Sequence, residues 1–340
     1  MTVTVALIGA GAVGQRHARV LSELPGVRVA TVTDPHGPSA ETLADRVGAR
    51  AFADPDRALD AVDVDAVYVC VPPFAHGAAE DAALLRGKAL FVEKPVGVDL
   101  AEPERLAAAV AEAGVVTGTG YHWRCLDTVE RARDLLAASP ALLAGGSWLD
   151  KRPPVPWWGR TDRSGGQVVE QLTHVLDTAR YLLGDPVEVY AAGIRRPPEE
   201  PGATDTDRGD VDDATAATVR FASGAVATLA ATSALGARRR TGLHTVSHGL
   251  YLELSEERLV VSGASGDDVW EPAEDPRVVV DREFVEAVRG ERGATRVPYA
   301  EALRTHRLGC AVAASARSGR PVRLDAQTGR LLEDARGTGA

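Results

Sequence analysis

The sequence predicts an α/β protein: an N-terminal doubly wound parallel sheet, then an α+β domain built on a mostly antiparallel sheet. Three observations predict it. From residue 1 to about 120, short apolar runs alternate with stretches whose apolar residues recur every three to four positions, the rhythm of a parallel sheet covered on both faces. Past residue 120 that rhythm gives way to long alternating segments. The 340 residues also exceed a single ordinary domain, being enough for two cores of about 100–200 residues each. The expected division is 1–120, 121–330 and a frayed tail at 331–340.

In the first part the apolar runs predict strands at 3–8, 27–33, 66–71, 88–92 and 115–119. Between them, the 3–4 spacing predicts helices at 13–24, 38–47, 76–86 and 101–113. In the second part a helix is expected at 128–138, a strand at 143–150, and a Pro- and Trp-rich loop at 153–160. A helix over 167–183 is closed by Gly184 and Pro186, the usual stop signature. Antiparallel strands are expected at 187–194, 213–222, 225–233, 243–254 and 258–262, with Ser223-Gly224 as a hairpin turn. Residues 195–212, rich in Pro, Gly, Asp and Glu, read as an exposed loop. Helices at 281–289 and 299–318 end the fold.

The first strand runs into Gly9-Ala10-Gly11-Ala12-Val13-Gly14 and a helical pattern starts at once. In such a turn the first glycine allows the tight bend, Gly11 lets backbone approach a pyrophosphate, and Gly14 lets helix pack on strand. The helix N-terminus then favours an anion without a basic side chain. Asp34 ends the second strand, where a carboxylate takes ribose hydroxyls and repels a 2′-phosphate, so NAD is favoured over NADP. His36 softens that preference.

Ligands of such sheets bind beyond the carboxyl ends of the strands. Val71-Pro72-Pro73 and Glu93-Lys94-Pro95 lie there. The prolines suffice to stop a strand, but an ammonium just past the apolar run 89–92 is not explained that way. Of the 38 basic residues only Lys88, Lys94 and Lys151 are lysines.

Net charge is −10, which argues against nucleic acid and against a basic membrane-facing surface. No run reaches the roughly 18–20 apolar residues of a membrane span. Cys70, Cys125 and Cys310 are far apart, with no metal-ligand spacing and no disulfide pattern, so no metal is expected and a cytoplasmic setting fits.

In the expected helix 167–183, Glu170, His174 and Asp177 fall at i, i+4 and i+7, on one face, so that a carboxylate can orient the imidazole. A satisfied structural histidine is the plainer alternative. Beside a nicotinamide, histidine suits transfer of a hydroxyl proton, and Lys94 suits stabilising the developing oxyanion. Trp123, Trp148, Trp157 and Trp158, four of the five tryptophans, cluster with Tyr121 and His122 between residues 121 and 158. Their faces suit the C–H side of a sugar or cyclitol, with Arg124, Lys151 and Arg160 for hydroxyls, or they serve packing.

Together, Gly9-x-Gly11-x-x-Gly14, Val71-Pro72-x-x-x-His76, Glu93-Lys94-Pro95, Gly120-Tyr121-x-x-Arg124 and Gly165-Gly166-x-x-x-Glu170-x-x-x-His174-x-x-Asp177 resemble the glucose–fructose oxidoreductase / inositol dehydrogenase / rhizopine catabolism (Gfo/Idh/MocA) family over about residues 1–325. The resemblance implies a Rossmann domain, a C-terminal domain with a large open-faced sheet, and NAD(P)-dependent chemistry on sugars, cyclitols and related molecules. It implies Lys94 as the lysine at the reacting oxygen, His174 as general acid/base, Asp177 as a second acid, and Arg124 bordering the substrate. Glu93 would sit near the cofactor. Gly9, Gly11, Ala12, Val13, Gly14, Asp34, Val71, Pro72, His76, Glu93 and Lys94 are thus expected to bind cofactor, and Tyr121, His122, Trp123, Arg124, Trp158 and Arg160 to line the substrate. Glu170 stands where most members carry aspartate, and residues 171–173 also depart from the common run, which implies a shifted pocket.

The expected activity is hydride transfer between NAD and a polyol, sugar or ketone. Reduction of a keto sugar in a secondary-metabolite pathway, or a non-catalytic cofactor sensor, are the alternatives. The Ala/Thr-rich strands at 213–219 and 225–232 suit sheet packing, and with the resemblance they imply a homodimer or homotetramer.

Overall fold

The computed structural model describes residues 2–196 and 209–332. Among the described residues two compact units emerge: those up to Gly97, Ala101–Cys125 and Glu274–Leu303 form one, and those of Val98–Leu100, Leu126–Ala273 and from Arg304 onward the other. The expected break at 120 compares with a division after Cys125, and a late segment, 274–303, returns to the first unit.

The first unit holds a six-stranded parallel sheet in the order β3-β2-β1-β4-β5-β6. The strands are β1 (Val3–Ile8), β2 (Val27–Thr33), β3 (Arg50–Phe52), β4 (Ala66–Val69), β5 (Ala89–Val92) and β6 (Thr117–Thr119). β1, β4 and β5 are apolar at almost every position and buried on both faces, as crossover helices require. β1 and β2 have the expected bounds, and the strands expected at 66–71, 88–92 and 115–119 are present but shorter. β3 and the helix Pro55–Ala61 were not expected, because a three-residue edge strand and a two-turn helix leave too few positions for a periodicity. That helix starts at Asp54, whose side chain accepts the Arg57 N–H at 3.0 Å.

The returning segment completes both faces of this sheet. Helix Pro276–Val288 contributes Val279, Val280, Phe284 and Val285 to one apolar cluster, and Val297, Tyr299 and Ala302 join the other. Tyr68 and Phe91 stack at 4.6 Å, with Phe284 edge-on to both.

The second unit is built on a ten-stranded sheet, ordered β14-β13-β12-β11-β7-β10-β9-β8-β15-β16. Its strands are β7 (Leu143–Leu149), β8 (Pro186–Ile194), β9 (Ala214–Phe221), β10 (Val226–Thr232), β11 (Arg240–Ser247), β12 (Leu250–Leu254), β13 (Leu259–Gly263), β14 (Gly266–Trp270), β15 (Val322–Leu324) and β16 (Leu331–Leu332). Only β7 and β10 pair in parallel; the other pairs are antiparallel. The single strand expected over 243–254 is a hairpin, β11 and β12, turning at Gly249 with φ +72°. The buried positions change phase across this two-residue turn, from Leu243, Thr245 and Ser247 to Leu252 and Leu254, a shift that the run of residue types does not mark. β14 to β16 were not expected. The loop expected at 195–212 and the tail lie largely outside the described residues.

The helix expected over 167–183 is broken. Gln167–Glu170 and Thr173–Leu183 are separate helices, and the Leu172 N–H reaches back five residues to the Gln167 carbonyl at 3.1 Å. One such wide turn rotates everything after it relative to an unbroken helix. The i, i+4 relation between Glu170 and His174 is therefore not that of one continuous helix.

Candidate active site

In the first unit, β1 ends at Ile8 and Gly9 turns the chain with φ +100°. A Cβ at Gly9 would lie 2.3 Å from the Cys70 carbonyl oxygen, and one at Gly14 would lie 1.9 Å from the Gly9 carbonyl oxygen. Both positions exclude any side chain. At Gly11, by contrast, a Cβ would meet nothing within 4 Å, and Gly11, Ala12 and Val13 are exposed. Helix Ala12–Glu23 begins here with no side chain capping its first N–H groups. The turn therefore offers open backbone donors to an anion, and these residues fit a dinucleotide pyrophosphate.

Asp34 lies just past β2. Its two oxygens accept the backbone N–H groups of Ala10 (2.9 Å) and His36 (2.8 Å), which fixes the carboxylate against the glycine turn. His36 Nδ1 meets Ser39 Oγ at 2.8 Å. Val71 and Pro72 are half-buried beyond β4. The side chain of His76 is buried, with Nδ1 2.5 Å from Glu80 Oε1. Burial would raise the Glu80 carboxyl, but His76 and the Gly77 N–H hold it below the usual range.

Glu93 closes β5 and is buried. Its Oε1 accepts from Arg16 at 2.7 Å and lies 2.9 Å from His17 Nε2; its Oε2 accepts the Lys94 backbone N–H at 2.9 Å. Behind it, His17 Nδ1 is 2.7 Å from Asp281 Oδ1. Burial alone would lower the His17 imidazole, yet Asp281 and Glu93 outweigh it and lift the group to about 9. For Glu93, burial would raise the carboxyl, but His17, Arg16 and Lys94 bring it down to about 2.

Arg16, His17 and Asp281 were missed by the sequence reading. Their signal was a polar residue on an apolar face: His17 falls between Gly14, Ala18 and Leu21, and Asp281 follows Val278-Val279-Val280.

Tyr121, His122, Trp123 and Arg124, expected at the substrate, are all buried, and the Arg124 guanidinium pairs with Glu301 at 3.1 Å.

In the second unit, His174 is 4% exposed on helix Thr173–Leu183, its ring stacked on Trp148 of β7. Asp177 is buried and its Oδ1 accepts from Thr305 Oγ1 at 2.7 Å, which in turn accepts from Arg180. Glu170 Oε2 accepts the Trp158 indole N–H at 2.8 Å, so the aromatic loop is joined to the helix Gln167–Glu170 through that carboxylate. Arg160 is exposed and forks onto Asp162 at the surface. Lys151 is exposed, its backbone bridged to Ala234. Among the described residues no cluster of His, Cys, Asp and Glu is arranged to hold a metal, and no helix is long and apolar enough to cross a membrane.

Comparison with known proteins accords with this architecture. Residues 3–121 match the model of an oxidoreductase family with an NAD-binding Rossmann fold, and residues 142–267 match the GFO/IDH/MocA C-terminal domain. The myo-inositol 2-dehydrogenase of Thermotoga maritima is 29% identical over 228 residues, 65% of this chain and 66% of that protein. The scyllo-inositol 2-dehydrogenase (NAD(+)) of Bacillus subtilis is 31% identical over 188 residues, 54% of each chain. The matches thus span two-thirds or less of these relatives. A levoglucosan dehydrogenase solved with NADH and levoglucosan shares the fold, with a TM-score of 0.85 at 22% identity over 95% of this chain and 99% of that one. The chain belongs to the Gfo/Idh/MocA oxidoreductase family, with an NAD-binding Rossmann domain in its N-terminal part.

Proposed function

We propose that this protein moves a hydride between NAD and an oxygen-bearing carbon of a sugar, cyclitol or related polyol. The observation that carries the reading is the pairing, within one unit, of an open glycine turn flanked by Asp34 with a lysine whose backbone is tied down at the carboxyl end of β5. Gly11 to Gly14 would hold the pyrophosphate and Asp34 the adenosine ribose hydroxyls. When bound, the nicotinamide supplies the hydride acceptor or donor at C4.

Lys94 donates to the reacting oxygen and stabilises its developing negative charge. His174 takes the hydroxyl proton in oxidation and returns it in reduction. Glu170 or Asp177 would orient that histidine, Asp177 being held itself by the buried Thr305–Arg180 network and Glu170 by its bond to Trp158. Trp158, expected to line the substrate, is buried at 1% exposure and serves instead to pack the loop against Glu170. Inositol dehydrogenases among the relatives support the substrate class.

The test is a panel of inositols, sugars and their keto forms followed at the NADH absorbance band, with NAD and NADP side by side. With the active substrate, Lys94→Ala and His174→Ala should each lower turnover by at least about a hundredfold, with NADH binding retained. Undiminished turnover in both variants would overturn the assignment.

We further propose that the protein assembles as a homo-oligomer through the second sheet. Its outer face carries small residues, Ala216, Thr218 and Thr228 among them, exposed around a shallow depression of about 510 Å³.

A further inference from the structure

We infer that His17, Arg16 and Asp281 are positioning residues for Lys94, acting through the carboxylate of Glu93. The inference rests on the reading of Lys94 as the group that meets the reacting oxygen.

The backbone of Glu93 is pinned to the sheet by its N–H bond to the Val69 carbonyl at 2.9 Å. Its side chain is boxed in on three sides. Arg16 and His17 both meet Oε1, at 2.7 and 2.9 Å. On another side lies Gly120: a Cβ there would fall 2.2 Å from Oε2 and 2.4 Å from Cδ, so only glycine leaves the carboxylate its room. The remaining direction is taken by the Lys94 backbone N–H, which donates to Oε2 at 2.9 Å. With those constraints the Glu93–Lys94 peptide has one orientation, and the direction in which the lysine leaves the strand end is set with it.

His17 cannot turn to release this grip. Its other nitrogen faces both oxygens of Asp281, at 2.7 and 2.9 Å, and a ring between two carboxylates satisfies both only when each nitrogen carries a proton. Tyr68 and Phe91 pack against the ring with centroids 5.4 and 5.1 Å away, holding its plane. Two cations and two carboxylates thus balance in a largely buried pocket. Such a buried ionic cluster is a poor device for stability alone, since apolar replacements of similar volume are often neutral or stabilising. It is a good device for fixing direction, because every member is held by at least one other.

Because the chain has three lysines, the reactivity of each can be read separately. The folded, full-length protein is treated with trace acetic anhydride, and the labelling rates of Lys88, Lys94 and Lys151 are followed by peptide mass spectrometry. Wild type is compared with Asp281→Asn, which weakens the hold on His17, with Gly120→Ala, which pushes Glu93 from the opposite side, and with Glu93→Gln, which keeps its size. Lys88, paired with Asp63 at the surface, and Lys151 serve as internal references.

The expected result is a change of about threefold or more at Lys94, the effect of a half-unit change in amine pKa, with both reference lysines unchanged. In the same variants kcat should fall by about tenfold with KM little altered. Unchanged Lys94 labelling in the variants that keep the wild-type circular dichroism spectrum would overturn the inference. If labelling moves while turnover does not, the positioning stands and it is the assignment of Lys94 to the reacting oxygen that falls.

Discussion

The rings of Trp148 and His174 stack with centroids 5.8 Å apart and planes 25° from parallel. Trp148 comes from β7, in the middle of the large sheet, and it also carries the Arg238 guanidinium at 5.0 Å from its ring centroid. Arg238 is held in turn by Asp150 at 2.9 Å. The imidazole proposed to move the proton therefore rests on a platform that the sheet itself holds rigid.

Trp148→Ala should free that ring to turn. Because displacements of about 1 Å cost up to about a hundredfold in rate, kcat is expected to drop ten- to a hundredfold while NADH affinity, set in the other unit, stays within about threefold. Trp148→Phe, which keeps a face, should recover most of the loss. Equal kcat in wild type and Trp148→Ala, measured at saturating substrate, would show that the platform has no catalytic consequence.

Cofactor choice should follow Asp34. Its carboxylate, proposed to meet the ribose hydroxyls, is fixed beside the glycine turn by the Ala10 and His36 N–H groups. Asp34→Ser removes the negative charge and keeps a hydrogen-bonding group. The ratio of NADPH to NADH affinity, read by quenching of protein fluorescence, should rise by about tenfold or more, the equivalent of ~1.4 kcal/mol. No change in the ratio would mean that another residue governs it.

The buried His17–Glu93 pair sets two limits on stability. His17 is lifted from 6.5 to about 9, so the stability it confers is whole below pH 6.5 and is lost as pH rises through 9. Glu93 is brought down from 4.5 to about 2, so its contribution is present above pH 4.5 and is lost as pH falls through 2. Thermal melting across pH should therefore decline between pH 6.5 and 9 in the wild type, and Asp281→Asn should flatten that limb. An alkaline limb identical in the two proteins would assign it to other groups.

Oligomerisation through the exposed sheet face predicts that Thr218→Arg, a bulky charge among small neighbours, yields a monomer that keeps its secondary structure. Light scattering at micromolar concentration decides this; a wild-type monomer would exclude the interface.

The doubly wound half was legible because its signals are local. A strand, a glycine turn and a helix follow one another within residues 3–23, and the Gly9-x-Gly11-x-x-Gly14 spacing is complete within six residues. Alternation likewise marked most strands of the second sheet. It passed over β14 and merged β11 with β12, since the two residues His248 and Gly249 interrupt the alternation too briefly to mark where the chain reverses. The wide turn at Gln171-Leu172 was invisible for a similar reason: an apolar pattern tolerates one extra residue, whereas the relative direction of Glu170 and His174 does not.

By itself the sequence determined the two kinds of sheet, the glycine turn with Asp34 at its side, and the residue types able to move a proton and hold an oxyanion. Only the tertiary structure decided which charges meet. His17 finds Asp281 across 264 residues, Arg124 finds Glu301, and Trp158 finds Glu170. Backbone geometry is dictated by neighbours along the chain, but the pairing of a buried charge depends on which distant segment the completed core brings against it, and no local pattern encodes that partner.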